Sequence, residues 1–275
     1  MGKYLRGMLL VLLAVVFIGS GSLVLRQMHD YSTAEQANEQ AREISAAEDL
    51  PQEPVELPEP MVPLAPAPVE EDPFSKEPLE ESLSFLLETD LDELRQTNPD
   101  VLGWIHIPDS ELNYPLLQGE DNQTYLNRAW DGTRNSAGSI YLECKSSPDF
   151  SDFNTIIYGH RMNNTTMFGS LRNYKDQEYL DSHPYVYVVM DDEVRRYAIF
   201  SAYMAPVVSN TYRLYVEEEE IKQVVLDHGM TSSVLDSEVV PTVEDQIITL
   251  STCTDTGNYD YRWVVQAVLD TRWKR

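Results

Sequence analysis

Two side chains of this sequence have the types and the settings that acyl-transfer chemistry needs. Cys253 follows the apolar run Ile247–Leu250, so it should lie just beyond the end of a buried strand. A thiol with an ordinary pKa of about 8.5 is mostly protonated at neutral pH, so it needs a partner that lowers this pKa or accepts its proton. His160 follows a second apolar strand at Gly159, and no other histidine has such a setting. The pair would suit a nucleophile with its acid/base, and the plainer interpretation of His160 is a polar loop histidine.

Arg262 begins the strand after Cys253, and the residues between them include the turn-forming pair Gly257-Asn258. If the two strands form a hairpin, the Cβ atoms of positions 253 and 262 should be about 5 Å apart. A guanidinium keeps its proton, so it could stabilise a thiolate or a developing oxyanion. From spacing alone, the plainer interpretation is a partly buried thiol beside a surface arginine.

Asp255 is a further candidate, because it could orient His160 in a Cys-His-Asp set. An exposed loop carboxylate is the blander interpretation. Cys144 is the only other cysteine of the chain, so the sequence offers neither a disulfide framework nor a cysteine-built zinc site. We therefore expect no metal.

Short segments rich in valine, isoleucine and aromatic residues should form the scaffold for these side chains. Glycine, proline, asparagine or aspartate bounds each segment, as is typical of strands. Helical patterns are expected at Leu83–Arg95, Asn122–Arg128 and Glu217–His228. About eight strands with few helices predict a mainly β protein with a closed or nearly closed barrel. The predicted strands are Val101–Ile107, Leu112–Leu117, Ser139–Leu142, Asn154–Tyr158, Tyr185–Met190, Arg196–Met204, Gln246–Ser251 and Arg262–Asp270.

The N-terminal residues 1–29 read as a membrane anchor. The stretch Gly7–Leu25 carries no charge and would span roughly 28 Å as a helix. Lys3 and Arg6 precede it, which predicts a single-pass anchor with a cytoplasmic N-terminus and an extracellular remainder. A cleaved signal peptide is the alternative, because Gly19–Ser22 is rich in small residues.

Residues 30–80 are rich in proline and glutamate, so they are predicted to form an extended stalk that spaces the domain from the membrane. Within them, 34–49 has good helix propensity but sparse apolar residues. Residues 81–275 are then the catalytic domain. The chain has 46 acidic and 20 basic residues, a formal charge of −26, which argues against a nucleic-acid partner.

Several motifs of the sequence resemble those of class B sortases. The pentapeptide Thr249–Cys253 (TLSTC) resembles the family's nucleophile motif, and Tyr158-Gly159-His160 resembles its histidine motif. Arg262 stands where the family has its arginine, and the resemblance covers about residues 83–272. It implies a closed eight-stranded sortase-type β-barrel with an N-terminal helix. It also implies a helical insert, within Val207–Pro241, between the sixth and seventh strands.

The resemblance also implies a mechanism. Cys253 would attack the threonine carbonyl in a C-terminal sorting motif of a secreted protein and form a thioester. Arg262 would hold the oxyanion. His160 would protonate the leaving amine, then deprotonate an amine of the peptidoglycan cross-bridge or of a pilin lysine. No cofactor is required. Auxiliary or substrate-contacting roles are expected for Asp255, Tyr158, Ser251 and Thr252.

Two other functions fit the same residues. An extracellular cysteine peptidase would pass the thioester to water instead of an amine, and a non-catalytic anchored barrel would only bind peptides or wall polymer. Cys144 stands where the family is expected to have an aspartate or an aromatic residue. It is interpreted as a structural or idle thiol. A disulfide with Cys253 would block the nucleophile, although an oxidising exterior permits one.

Overall fold

The protein is described by a computed structural model that covers residues 28–29, 32–45, 74–254 and 258–275. Eight strands close into a barrel in the order β1-β2-β3-β4-β7-β8-β6-β5. This confirms the mainly β, eight-stranded prediction. The strands are β1 (Val101–His106), β2 (Asn113–Leu117), β3 (Ile140–Leu142), β4 (Asn154–Tyr158), β5 (Tyr185–Val189), β6 (Glu193–Pro206), β7 (Ile247–Cys253) and β8 (Tyr261–Lys274).

The pairing of β4, β7 and β8 determines where the site lies. β4 and β7 run parallel, with Tyr158 opposite Ser251, so their C-terminal ends lie at the same rim of the barrel. His160 lies two residues after Tyr158, and Cys253 lies two residues after Ser251. β8 runs antiparallel to β7 and begins at the same rim. Three segments that are distant in sequence therefore meet at one edge.

The alternation of side chains along β7 sets the direction of the nucleophile. Ile248 and Leu250 lie in the main core cluster with Trp263 and Val265 of β8. Successive strand residues point to opposite faces. Cys253 and Arg262 therefore both belong to the outer face of the barrel.

The helical segment before β1 differs in detail from the prediction. The single helix expected over Leu83–Arg95 is two helices, α2 (Phe85–Glu88) and α3 (Leu91–Thr97). The chain breaks there because the Asp90 carboxylate accepts a 2.9 Å hydrogen bond from the Glu93 amide and caps α3.

The two predicted inserts had different outcomes. The helix expected over Asn122–Arg128 is only a 3₁₀ turn, Thr124–Leu126, and the Asp121 carboxylate holds its start by accepting from the amides of residues 123 and 124. A short helix, α4 (Gln177–Ser182), precedes β5. The helical insert between β6 and β7 is confirmed as α5 (Glu219–Ser232).

Residues 32–45 form a helix, α1, that lies against the barrel although this range was assigned to the stalk. Ala37 and Ala41 are buried in a cluster with residues of the barrel, and the indole of Trp130 donates a 2.6 Å hydrogen bond to the Ala37 carbonyl. The sequence analysis assigned this range to the stalk because its apolar residues are too sparse to predict a helix that packs on a domain. Alanines suffice here because small side chains let the helix backbone approach the domain closely.

The rest of the N-terminal interpretation lies outside the described residues. This applies to the predicted anchor Gly7–Leu25 and to stalk residues 46–73, so the division into anchor, stalk and catalytic domain stays a prediction. Within the described ranges, no helix combines the length and the apolarity needed to cross a bilayer.

Candidate active site

Cys253 and Arg262 lie directly opposite each other at the rim of the barrel. Cys253 is the last residue of β7, and Arg262 is its partner in the antiparallel pairing with β8. The Nη1 atom of Arg262 donates to the backbone carbonyls of Tyr259 (2.8 Å) and Tyr261 (2.9 Å). These bonds hold the guanidinium beside the thiol without neutralising its charge.

The imidazole of His160 is fixed by a backbone carbonyl. Its Nε2 lies 2.7 Å from the oxygen of Leu126. A carbonyl oxygen can only accept, so Nε2 carries a proton and Nδ1 is left for the thiol. Gly138, with φ +62°, makes this approach possible, because a Cβ there would lie 3.0 Å from Cδ2 of His160 and 2.5 Å from the Tyr125 carbonyl oxygen.

The electrostatics of the site favour an ionised pair. The pKa of Cys253 is lowered, first by its interaction with the His160 imidazole, against burial, and then by the charges of Arg262 and Arg161. The pKa of His160 is raised, first by its interaction with the Cys253 thiol, against burial, and then by the Leu126 carbonyl. Opposite shifts of the two groups favour a thiolate beside an imidazolium.

Three tyrosines surround this pair. The rings of Tyr141 and Tyr158 are 5.5 Å apart, and the Tyr158 hydroxyl donates to the buried carboxylate of Glu143 at 3.0 Å. The hydroxyl of Tyr212 lies 2.8 Å from Oγ of Ser251. Burial, the largest cause, raises the pKa of Tyr212 to about 12. Burial likewise raises the pKa of Tyr141 and of Tyr158, so all three phenols stay neutral beside the site.

Tyr141 and Tyr212 were missed by sequence reasoning. Tyr212 comes from the insert between β6 and β7, which a buried polar network holds in place. The side-chain amide of Asn154 donates to the Thr211 carbonyl (2.9 Å), and the hydroxyls of Tyr203 and Thr211 are 2.9 Å apart. No local sequence pattern signals these long-range contacts.

The remaining predicted site residues have different environments. Ser251 and Thr252 are each 2% exposed, and Ser251 lies under the Tyr212 hydroxyl. Neither hydroxyl is open to a ligand in this state, so their roles stay predictions. Tyr158 is half-buried beside the site. Asp255 lies outside the described residues.

Cys144 is a free thiol, as is Cys253. Its Sγ lies 3.4 Å from Oε1 of Glu143, and burial followed by this hydrogen bond raises its pKa. A thiol with a raised pKa is a weak nucleophile at neutral pH. Of the two cysteines, only Cys253 is activated.

A thiolate, an imidazolium and a guanidinium at the rim of a closed β-barrel define a cysteine acyl-transfer enzyme. The family model described as the sortase domain matches residues 105–270. The chain therefore belongs to the sortase family, and it is a class B sortase, a cysteine transpeptidase.

Relatives and solved structures agree with this assignment. The chain is 33% identical to sortase B of Listeria monocytogenes over 208 residues, which are 72% of this chain and 81% of the relative. It is 36% identical to sortase B of Staphylococcus aureus over 164 residues, 59% of this chain and 66% of the relative.

Two structures illustrate the similarity of the fold. A Staphylococcus aureus sortase B–substrate complex matches with a TM-score of 0.62 at 34% identity, covering 66% of this chain and 84% of that one. A Bacillus anthracis sortase B in complex with AAEK1 matches with a TM-score of 0.67 at 26% identity, covering 90% and 100%.

Proposed function

We propose that this enzyme cleaves a C-terminal sorting motif of secreted proteins and joins the new C-terminus to an amine of the cell wall or of a pilin subunit. The observation that carries the proposal is the placement of Cys253 between the His160 imidazole and Arg262. One similar structure is described as a sortase B–substrate complex, which supports a substrate-binding role for this fold here.

In the first half-reaction, the Cys253 thiolate attacks the scissile carbonyl carbon. The electron pair moves to the carbonyl oxygen, and Arg262 stabilises the resulting oxyanion. The tetrahedral intermediate collapses, the peptide C–N bond breaks, and the His160 imidazolium gives its proton to the leaving amine. The products are a thioester on Cys253 and a free amine.

In the second half-reaction, an acceptor amine attacks the thioester carbonyl and the neutral imidazole of His160 takes its proton. Collapse of the second intermediate expels the Cys253 thiolate and forms a new amide bond. One amide is broken and one is formed, so no redox agent is consumed. The acceptor is an amine of a peptidoglycan cross-bridge or of a pilin subunit.

A product assay tests the reaction type. The enzyme is incubated with sorting-motif peptides in the presence and absence of oligoglycine or a lysine-containing peptide. A transpeptidase yields the amide-linked product and slows hydrolysis as the amine concentration rises. Hydrolysis alone, unaffected by any amine, would support the peptidase alternative, and binding without cleavage would support the non-catalytic one.

The membrane attachment is part of the same proposal. The predicted anchor ends at Leu25, Met28–His29 are already helical, and α1 is described from residue 32, so only six residues separate the predicted anchor from α1. Both flanks of 46–73 contact the domain, through Ser45 and Ser75. The six-residue connection, rather than the proline-rich segment, would then determine the distance between domain and membrane.

Cell fractionation tests this attachment. The full chain should sediment with membranes, and a chain that begins at residue 27 should be released in soluble form. If expression of the complete gene instead released a protein into the medium with its N-terminus near Gly19–Ser22, the segment would be a cleaved signal peptide.

A further inference from the structure

Helix α1 contacts two loops that both bear on His160. One is the turn 161–168 that follows His160, and the other is the hairpin 127–135 that follows Leu126, the residue whose carbonyl holds the imidazole. We propose that α1 is a positioning element of the active site, which holds the imidazole in register with the thiol. The inference deepens the proposed function and rests on it.

The first route runs through the turn after His160. The Phe168 amide donates to the His160 carbonyl (3.0 Å), and Met167 pairs with Arg161 in a β-bridge. Thr165 and Met167 both have positive φ, +71° and +55°, which non-glycine residues adopt only when their surroundings impose it. The turn therefore depends on outside contacts for its shape.

Helix α1 supplies two of these contacts. The buried amide of Asn38 donates to Sδ of Met167 at 3.7 Å. Arg42 lies 5.4 Å from the ring centre of Tyr114, whose hydroxyl accepts a 3.2 Å hydrogen bond from the Met167 amide. Arg42 also donates to the Asn113 carbonyl at 3.2 Å. One face of α1 thus holds the turn directly and through a tyrosine.

The second route runs through the hairpin. Trp130 is 1% exposed and donates to the Ala37 carbonyl of α1 at 2.6 Å. At the base of the hairpin, the Asn135 amide donates to the Asn127 carbonyl at 2.9 Å. Leu126 immediately precedes this base, so a shift of Trp130 is transmitted to the carbonyl that accepts from His160.

The two routes act on different atoms of one residue. The turn holds the backbone of His160, and the hairpin holds its Nε2 through Leu126. Loosening α1 should let the imidazole lose its carbonyl partner and its contact with Cys253. Because that contact lowers the pKa of Cys253, the thiol pKa should then rise.

The test compares two indole hydrogen bonds of the same kind in the full-length enzyme. Trp130→Phe removes the bond to α1. Trp273→Phe removes a 2.8 Å bond from another buried indole to the Glu77 carbonyl, near the far end of β8. Asn38→Leu tests the first route, and Gln40→Ala on the exposed face of α1 is its control.

The readout is the pH dependence of Cys253 alkylation by iodoacetamide, measured in a Cys144→Ala background. Trp130→Phe and Asn38→Leu should move the midpoint upward and slow alkylation at pH 7 by roughly threefold, about half a pKa unit. Peptide turnover should fall through kcat more than through KM. Trp273→Phe and Gln40→Ala should leave the midpoint unchanged.

Equal losses of melting temperature in Trp130→Phe and Trp273→Phe, with the same alkylation midpoint as the parent enzyme, would overturn the proposal. If Trp130→Phe does not fold, the alkylation midpoints of Asn38→Leu and Gln40→Ala are compared instead, and equal midpoints would overturn the proposal. Alkylation needs no sorting peptide, so this result is separate from the test of the proposed reaction.

Discussion

Strand β8 has an arginine near each end, and the two arginines have different partners. At the active-site end, Arg262 faces the Cys253 thiol and donates only to backbone carbonyls. Ten residues on, about 33 Å along an extended strand, Arg272 faces the carboxylate of Glu193 at 3.8 Å. Glu193 also accepts a 2.6 Å hydrogen bond from buried Arg195.

The difference lies in the partner. At the far end, Arg195 and Arg272 share the fixed carboxylate of Glu193, so the cluster is a structural ion-pair group. At the active-site end, no described carboxylate pairs with Arg262, so its charge remains available to a thiolate or to an oxyanion that exists only during reaction. Among the described residues, the difference between the two ends is therefore whether a carboxylate or a nucleophile faces the positive charge.

The largest effect is expected from a substitution in the Glu193 cluster, at the end of β8 away from the active site. Glu193→Ala leaves the buried Arg195 without its carboxylate, and an unpaired buried charge costs about 3 to 5 kcal/mol of the free energy of unfolding. Denaturant unfolding measures this loss. The activity of the folded fraction should be retained. A loss below about 1 kcal/mol would mean that the cluster is not the closed ion pair described here.

Arg262→Ala breaks the catalytic end. We expect kcat/KM to fall at least a hundredfold, about 3 kcal/mol, because one oxyanion donor is lost. The free energy of unfolding should change far less than in Glu193→Ala, since this guanidinium is only partly buried. Arg262→Lys sharpens the test, because an enzyme that kept its full rate would need only a positive charge and not a planar donor.

The sequence predicted that the three site residues lie at strand ends but not what surrounds them, and β7 runs two residues further than predicted, so that Cys253 is its last residue. The positions of Cys253, His160 and Arg262 follow from local features: apolar strands that stop at a turn and motifs that resemble a family. Tyr212 was not predicted, because its position depends on hydrogen bonds to Ser251 and, through Thr211, to β4.

The fold shows the same limit. Short segments rich in valine, isoleucine and aromatic residues, each bounded by turn-forming residues, predicted the eight strands, because such side chains favour the pleated, half-buried surface of a barrel. The break at Asp90 depends on a single capping bond, and the docking of α1 depends on buried alanines and on the indole of Trp130. Neither contact has a strong hydrophobic pattern of its own, so both were missed.

The pH dependence of turnover sharpens the account of the active-site end. The productive form holds Cys253 as thiolate and His160 as imidazolium. The pKa of Cys253 is lowered and that of His160 is raised. As the pH increases, kcat/KM should therefore rise with a midpoint below the ordinary thiol pKa and fall with a midpoint above the ordinary histidine pKa. His160→Gln should move the rising limb upward, because the largest cause of the lowered thiol pKa is lost. An unmoved rising limb would contradict this cause.

The smallest expected effect concerns the insert. Tyr212→Phe keeps the ring and removes the hydroxyl that contacts Ser251, a change of about 1 kcal/mol. We expect kcat/KM to fall roughly fivefold, and the unfolding free energy to change by a similar small amount. Tyr215→Phe, which removes an exposed hydroxyl from its 2.9 Å bond to the Lys145 carbonyl, is the control and should be near neutral.

The most direct test of the central claim is to trap the acyl-enzyme. The enzyme is mixed with a sorting-motif peptide, quenched in acid and analysed by intact-mass and peptide-level mass spectrometry. We predict a mass increase equal to the acyl fragment, located on Cys253, which persists in Cys144→Ala and is absent from Cys253→Ala. An adduct on Cys144, or peptide cleavage that continues in Cys253→Ala, would contradict it.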